Sequence, residues 1–209
     1  MKTRYLLAAS TLFCPGLAAA DFINGNFETP ALPAGTQQFF TGATLPGWTI
    51  TGGTSDVVTN SFVGDGVTWN PSPDGNQFLY LSIDVSGGLV LSQAVSLDAG
   101  ANTLTFLQAD FGSQFANPGG QVIVSVFDSS NNVVVGPTLF TTPSFSAFIT
   151  QSLMFNTASA GVYTFDFASV DGHAGIIDAV SVNPAPEPAT LLMLGVGIVA
   201  LARRARTRI

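Results

Sequence analysis

Residues 162–167 read Val-Tyr-Thr-Phe-Asp-Phe, and residues 122–127 read Val-Ile-Val-Ser-Val-Phe. In the first run, apolar side chains alternate with Thr164 and Asp166, which is the period of a strand with one buried face. Val, Thr, Phe and Tyr are also the residues that favour strands. The same signal marks residues 77–81, 89–93 and 104–106. These runs predict β-strands and decide the fold class.

Turn-forming pairs separate these runs, and no part of residues 21–183 has a convincing helical period. Short strands joined by such turns favour an antiparallel β-sandwich. Seventeen phenylalanines supply apolar volume for a core between two sheets. We therefore predict one all-β jelly-roll domain over residues 21–183. The turn pairs are Asn24-Gly25, Gly52-Gly53, Asp74-Gly75, Gly87-Gly88, Gly119-Gly120, Asn131-Asn132 and Asp171-Gly172.

Residues 1–20 have the order of a secretory signal peptide. Lys2 and Arg4 precede an apolar run, and small residues lie just before Asp21. The apolar run is too short to span a bilayer, so we predict export and removal of this segment by signal peptidase. The only cysteine, Cys14, lies within it. The exported body therefore has no disulfide and no thiolate chemistry.

The charges are distributed unevenly. From residue 21 to residue 202 there is no Lys or Arg, whereas the chain from residue 21 onward holds all 13 acidic residues and the single histidine. Such a body repels nucleic acid, so no nucleic-acid partner is predicted. Its carboxylates are neutralised by solvent counter-ions, the commoner case, or by a bound metal ion.

Five segments of the body occur in a recognisable order: 24–30 (NGNFETP), 45–49 (LPGWT), 73–77 (PDGNQ), 91–95 (LSQAV) and 175–182 (GIIDAVSV). This succession resembles the galactose-binding-like jelly rolls of carbohydrate-binding modules. More narrowly, it is similar to the DUF642 type of plant cell-wall and anchored bacterial surface proteins. Plant members of that type commonly have cysteines, which this body lacks.

The resemblance implies a structural calcium site where the opening segment meets the last strand. The matching residues are Glu28 and Asp178, with backbone oxygens near Asn24 or Asn26. Carboxylates and carbonyls are the ligands that Ca²⁺ prefers. The alternative interpretation is that Glu28 caps a turn and Asp178 is a solvated edge residue.

The residues also offer a candidate sugar-binding site. Trp69 lies in the loop 60–76, where Asp65, Asp74 and Asn76 could bind hydroxyl groups beside a sugar stacked on the indole. The alternative interpretation is that Trp69 simply packs its loop onto the domain. Trp48 is predicted to be a core residue with its indole N–H satisfied.

Catalytic signatures are weak. His173 is the only histidine, and no Gly-x-Ser-x-Gly motif or cysteine nucleophile accompanies it. One histidine cannot build a zinc site with thiolates or further imidazoles. We predict that the protein is not an enzyme and that His173 is a turn residue near the last strand.

The C-terminal residues have three parts. A proline-rich spacer, 184–188, contains Pro186-Glu187-Pro188; an uncharged apolar run covers 189–202; a basic end, 203–209, contains Arg203, Arg204, Arg206 and Arg208. The run is shorter than the roughly 20 residues of a stable membrane span, and the arginines suit the cytoplasmic side of a membrane. We predict a transmembrane sorting helix over 189–202 and a cytoplasmic tail over 203–209.

This order resembles the PEP-CTERM sorting signal of Gram-negative bacteria. The resemblance implies recognition by an exosortase, a membrane enzyme that removes the anchor near Pro186-Glu187-Pro188. It implies only transient attachment to the inner membrane, followed by display at the cell surface or in extracellular matrix, in company with exopolysaccharide. The predicted function is a non-catalytic module that binds this polysaccharide. The alternatives are a secreted hydrolase acting on the same polymer and a purely structural surface protein.

Overall fold

A computed structural model describes residues 22–64, 67–81, 88–113, 119–170, 173 and 175–184. The described residues form twelve β-strands and contain no α-helix. None of their elements is a helix that could cross a membrane. The predicted signal peptide, the sorting helix 189–202 and the tail 203–209 lie outside the described residues.

The strands follow one another with short connections, except around residues 60–76, where a long loop crosses the domain. The predicted strand at 77–81 has the bounds that the sequence indicated; the runs at 104–106, 122–127 and 162–167 lie within longer strands, and the run at 89–93 lies in a strand that begins one residue later, at Val90. The strands are β1 Gln37–Gly42, β2 Thr49–Thr59, β3 Val67–Thr68, β4 Gln77–Leu81, β5 Val90–Leu97, β6 Gly100–Ala109, β7 Gly112–Ser113, β8 Gln121–Asp128, β9 Val133–Thr141, β10 Ile149–Thr157, β11 Gly161–Ser169 and β12 Gly175–Pro184.

All pairings are antiparallel, and the main sheet has the order β10-β6-β12-β4-β2-β5-β11-β8-β9, with β1 also on β2. The long strand β2 joins the two layers, because residues 55–59 pair with β4 whereas residues 49–51 pair with β5. The outermost strands β9 and β10 contact one another. The result is the predicted antiparallel β-sandwich, curled almost into a barrel.

A phenylalanine-rich core fills the space between the layers. Phe106 on β6 makes an edge contact with Phe167 on β11 at 5.5 Å between ring centroids, and these strands do not pair with each other. Phe155 meets Phe165 in the same way at 5.8 Å. Trp48 is also in this core, and its indole N–H donates to the Asn24 carbonyl oxygen at 3.0 Å. The predicted role of Trp48 is confirmed.

A second apolar cluster lies on the opposite face of the layer formed by β4, β12 and β6. Leu79 and Ile177 point into the main core, whereas their neighbours Phe78 and Ile176 point outward, as strand alternation requires. The loop 60–76 covers this outward face and brings Trp69 onto it. We call this group, Val58, Phe62, Trp69, Phe78, Tyr80, Ala109, Phe111, Phe148 and Ile176, the outer aromatic cluster.

Candidate functional site

The opening segment 22–32 is fixed to the sandwich by side chains rather than by strand pairing. Gln93 on β5 accepts from the Ile23 N–H at 2.6 Å and donates to the Ile23 carbonyl at 3.0 Å. Gln77 on β4 donates to the Phe27 carbonyl at 2.7 Å. The Val180 N–H on β12 donates to the Gly25 carbonyl at 2.9 Å. The segment therefore lies against the last strand, as the resemblance implied.

Glu28 binds the end of the long loop. Its Oε1 accepts from the backbone N–H groups of Asn76 at 2.6 Å and Gln77 at 2.7 Å. No described residue donates to Oε2. Gly75 lies directly beneath this carboxylate, with φ of 82°, and a Cβ at that position would collide with Oε1. Glu28 thus caps the loop and still presents one carboxylate oxygen to other ligands.

Asp178 is fully buried at an irregularity of β12. The pairing with β6 shifts register between Asp178 and Ser181, and Ala179 adopts a left-handed φ of 49°. Oδ1 of Asp178 accepts from the Ala179 N–H at 2.7 Å, and Oδ2 accepts from the Ser72 hydroxyl. The bulge therefore holds a carboxylate inside the domain with only neutral donors.

Burial raises the pKa of Asp178 to about 8. The hydrogen bonds from Ser72 and Ala179 act in the opposite direction, and the nearby charges of Asp74 and Glu28 add to the increase. No basic side chain exists between residues 21 and 202 to offset these charges. Glu28 and Asp74 therefore both lie within electrostatic reach of Asp178, and the body has no Lys or Arg to balance these charges.

A cleft of about 440 Å³ opens beside this group. Asn24, Asn26 and Asp74 line one part of it, and Ala179 and Ser181 on β12 line another. Asp74 is exposed, and its backbone N–H donates to the Ser72 hydroxyl at 3.2 Å. The cleft therefore joins the opening segment, the long loop and the bulge of β12 around a polar surface.

Of the predicted metal-binding residues, Glu28 lies within electrostatic reach of Asp178, whereas Asn24 is engaged in hydrogen bonds elsewhere. The Asn24 amide group bonds to both the N–H and the carbonyl of Thr29, at 2.9 and 2.7 Å. The Asn24 carbonyl accepts from Trp48. Within the described residues, no group of three or more Asp, Glu, His or Cys side chains is close enough to hold an ion. A cation at Glu28 and Asp178 would need backbone oxygens as well.

Trp69, the predicted sugar platform, is half-buried in the outer aromatic cluster. Its ring centroid lies 5.3 Å from that of Phe111, 5.4 Å from Tyr80, 5.7 Å from Phe78 and 6.4 Å from Phe62. Its Nε1 is buried and has no hydrogen-bond partner among the residues that the structure describes. These contacts favour the packing interpretation of Trp69.

Asp74 and Asn76, the other predicted sugar-binding residues, have their described contacts elsewhere than at the indole. Asp74 lines the polar cleft, and Asn76 is exposed, with its N–H bound to Glu28. Asp65 lies outside the described residues. Asp74 and Asn76 therefore lie in the region of the predicted calcium site.

His173 takes part in a turn. Its N–H donates to the Val170 carbonyl at 3.0 Å, and Nδ1 lies 3.1 Å from the Gly119 carbonyl. Among the described residues, no carboxylate or hydroxyl group bonds to its ring. This arrangement agrees with the predicted turn role.

Sequence reasoning missed three polar residues that organise the site. Ser72 binds Asp178, and the buried amides of Gln77 and Gln93 hold the opening segment. Both glutamines occur in the segments that carried the family resemblance, which was the available signal. No sequence signal marked Ser72, because a serine in a Pro- and Asn-rich loop is ordinarily solvated.

The sorting residues Pro186, Glu187, Pro188, Arg203 and Arg204 lie outside the described residues. Residues 184–206 match the family model of the PEP-CTERM protein-sorting motif. The motif indicates export with transient membrane anchoring. No curated protein matches the chain. The chain is thus an all-β sandwich protein that carries a PEP-CTERM sorting motif.

Many solved structures match the described fold. An arabinose-bound α-L-arabinofuranosidase, MgGH51, is 15% identical with a TM-score of 0.53, over 81% of this chain and 27% of that chain. The carbohydrate-binding module TmCBM61 in complex with β-1,4-galactotriose is 15% identical with a TM-score of 0.48, over 79% of this chain and 99% of that one. The enzymatically active domain of a bacteriophage CBA120 tailspike protein is 17% identical with a TM-score of 0.42, over 66% of this chain and 19% of that chain.

This chain spans only about a fifth to a quarter of the two enzymes. The likeness to the arabinofuranosidase supports the sandwich fold and nothing beyond the fold. Other matching structures are carbohydrate-binding modules of families 35, 22 and 4, each with a TM-score below 0.5.

Proposed function

We propose that this protein is an exosortase-processed, non-catalytic module that binds extracellular polysaccharide at the cell surface or in the extracellular matrix. The observation that carries the proposal is the sorting motif, which begins where the last strand of a folded sandwich ends. A sorting motif of this kind commits the domain to export. The sandwich is then the part that acts outside the cell.

The polar cleft beside β12 supports a carbohydrate ligand. It offers carboxylate, amide and hydroxyl groups from Asp74, Asn26 and Ser181, and such groups bind sugar hydroxyls. The same surface lacks Lys and Arg, which disfavours a strongly anionic ligand unless cations screen it. A neutral polysaccharide is therefore the ligand class that the cleft fits best.

The test is binding of residues 21–183 to isolated exopolysaccharide and to a panel of neutral oligosaccharides. Asp74→Ala should reduce binding at least tenfold, because this exposed side chain faces the cleft. Ser130→Ala, in a distant turn, is the matched control. Equal binding by both variants would contradict the cleft assignment. Shortening of the polysaccharide by the wild-type protein would instead establish a hydrolase.

We further propose that a structural Ca²⁺ binds Glu28 and Asp178. The support is a buried Asp178 carboxylate without a cationic partner, beside a Glu28 oxygen that no described residue occupies. Backbone carbonyls of the surrounding segments would complete the six to eight oxygens that Ca²⁺ requires. Bound Ca²⁺ would supply a positive charge that ties the opening segment to β12.

Isothermal titration with Ca²⁺ on chelator-treated protein tests this second proposal. Wild-type protein should bind one equivalent and unfold at a higher temperature with Ca²⁺ than with chelator. Asp178→Asn should lose the binding, whereas Asp128→Asn, in a remote turn, should retain it. An unfolding temperature indifferent to both Ca²⁺ and chelator would refute a calcium site.

A further inference from the structure

The last strand remains paired up to the first residue of the sorting motif. On β12, Val182, Asn183 and Pro184 are partners of Leu104, Thr103 and Asn102 on β6. The motif match covers residues 184–206. Pro184 thus belongs both to the folded sheet and to the sorting motif, and the chain has no linker between them.

The Pro-Glu-Pro residues follow the end of the sheet closely in the sequence. Glu187 comes three positions after Pro184, and an extended chain advances at most about 3.6 Å per residue, so the chain length between them is at most about 11 Å. An enzyme that binds a few residues on each side of a cut near Glu187 therefore meets Asn183 and Pro184 as part of its substrate. These residues are unavailable to it while they are paired with β6.

The β6 side of this pairing is firmly held. The Asn102 amide donates to the Thr157 hydroxyl and to the Gly100 carbonyl, each at 3.0 Å. The Thr157 hydroxyl donates to the Asp98 carbonyl at 2.6 Å. Any separation of the two strands must therefore come from movement of β12.

The last two residues of β12, Asn183 and Pro184, can separate from β6 without disturbing the rest of the strand. Pro184 has no N–H to give to the ladder, and Asn183 is exposed. Val182, in contrast, is fully buried in the main core. Fraying of a strand end costs little, whereas extraction of a buried valine costs more. Unpairing of residues 183–184 from β6 therefore costs little free energy, whereas Val182 remains in the core.

We propose that the processing enzyme binds extended backbone at the positions of Asn183 and Pro184, whatever the side chains there, so that these two residues must first unpair from β6. This inference rests on the proposed processing by an exosortase. The rate of processing then follows the opening of this strand end, because cleavage of a transiently opened segment tracks the population of the open form. A folded domain is therefore released more slowly than one with a linker.

A cross-strand disulfide tests the proposal. Thr103→Cys with Asn183→Cys joins directly opposed residues, whose Cα separation in an antiparallel pair suits a disulfide. The exported body contains no other cysteine. The matched control is Ala101→Cys with Asn156→Cys, which joins directly opposed residues of β6 and β10, neither of which pairs with β12. Processing is followed by pulse-chase in the native host.

The locked Thr103/Asn183 variant should be processed at least tenfold more slowly than wild type, and the Ala101/Asn156 control at the wild-type rate. Inserting an eight-residue Gly-Ser linker between Pro184 and Ala185 in the locked variant should restore processing. Wild-type processing of the locked variant would overturn the inference, as would a failure of the linker to restore it. Absence of processing in the wild-type protein would instead refute the exosortase function itself.

Discussion

At the residue scale, Asp178 is a carboxyl group whose surroundings disfavour its charged form. Its side chain is fully buried between neutral donors, while Glu28 and Asp74 add negative charge nearby. The sequence suggested that this residue could bind a metal ion or be solvated at an edge. Burial excludes the solvated alternative, because the register shift of β12 turns the carboxylate inward.

The raised pKa of Asp178 predicts a pH dependence of stability. The folded state holds the proton up to a pKa of about 8, whereas the unfolded chain releases it near pH 4. The folded state therefore binds more protons between these values, and the free energy of unfolding must fall as pH rises from 4 to 8. Denaturant unfolding in chelator should show this decline in wild type and a much weaker one in Asp178→Asn. Parallel pH profiles for the two proteins would contradict the assignment.

Glu28 provides a second prediction at the residue scale. Glu28→Ala removes an acceptor for two backbone N–H groups, and bonds to charged groups contribute about 1.5–3 kcal/mol each when buried. Because Glu28 is half-buried, we expect a loss of about 2 kcal/mol in chelator, and a smaller loss for Glu28→Gln, which keeps an acceptor oxygen. Denaturant unfolding checks both. An unchanged free energy of unfolding in Glu28→Ala would show that the loop 60–76 is held by other contacts.

At the scale of elements, β4 explains why the long loop is part of the fold. Residues 78–81 read Phe-Leu-Tyr-Leu, so alternation directs Leu79 and Leu81 into the core and Phe78 and Tyr80 outward. The loop 60–76 folds back over this outward face. Trp69 of this loop therefore packs on the outward-facing side chains of β4, Phe78 and Tyr80.

This arrangement predicts a stability role for Trp69. Trp69→Ala should lower the free energy of unfolding by about 2–3 kcal/mol, somewhat less than for a fully buried aromatic residue, because Phe78, Tyr80 and Phe111 would face solvent. Trp69→Phe should recover most of the loss. Denaturant unfolding of both variants provides the measurement. If Trp69→Ala is as stable as wild type but no longer binds polysaccharide, the indole is a ligand platform instead.

The elements differ in how far the sequence could predict them. Residues 162–167 alternate regularly, and residues 122–127 are an apolar run rich in β-branched residues; both lie next to turn pairs, so the sequence predicts the existence and type of these strands. The long loop was recognised from its Gly, Pro and Asn content, but not the face that it covers, because an apolar strand such as β4 carries no mark of its second neighbour. The inward position of Asp178 depends on a bulge that no local pattern in Gly175–Pro184 indicates.

At the scale of the whole molecule, the tail was the most predictable feature. Its three parts are contiguous in the sequence and need no tertiary contact to be recognised, and the sorting motif at 184–206 is confirmed. The polar cleft was not predictable, because it forms only where residues 24–26, Asp74 and β12 meet. The sorting motif can therefore be recognised from contiguous sequence, whereas the polar cleft exists only in the folded domain.

The most direct test of the central claim is the intact mass of the protein recovered from the outside of its native host. We predict a mature protein that begins at Asp21 and lacks the apolar run 189–202 and the arginines beyond it. Such a product has no Lys or Arg side chain, and it should remain folded and retain polysaccharide binding. An exported protein whose mass includes residues 189–209 would contradict the account.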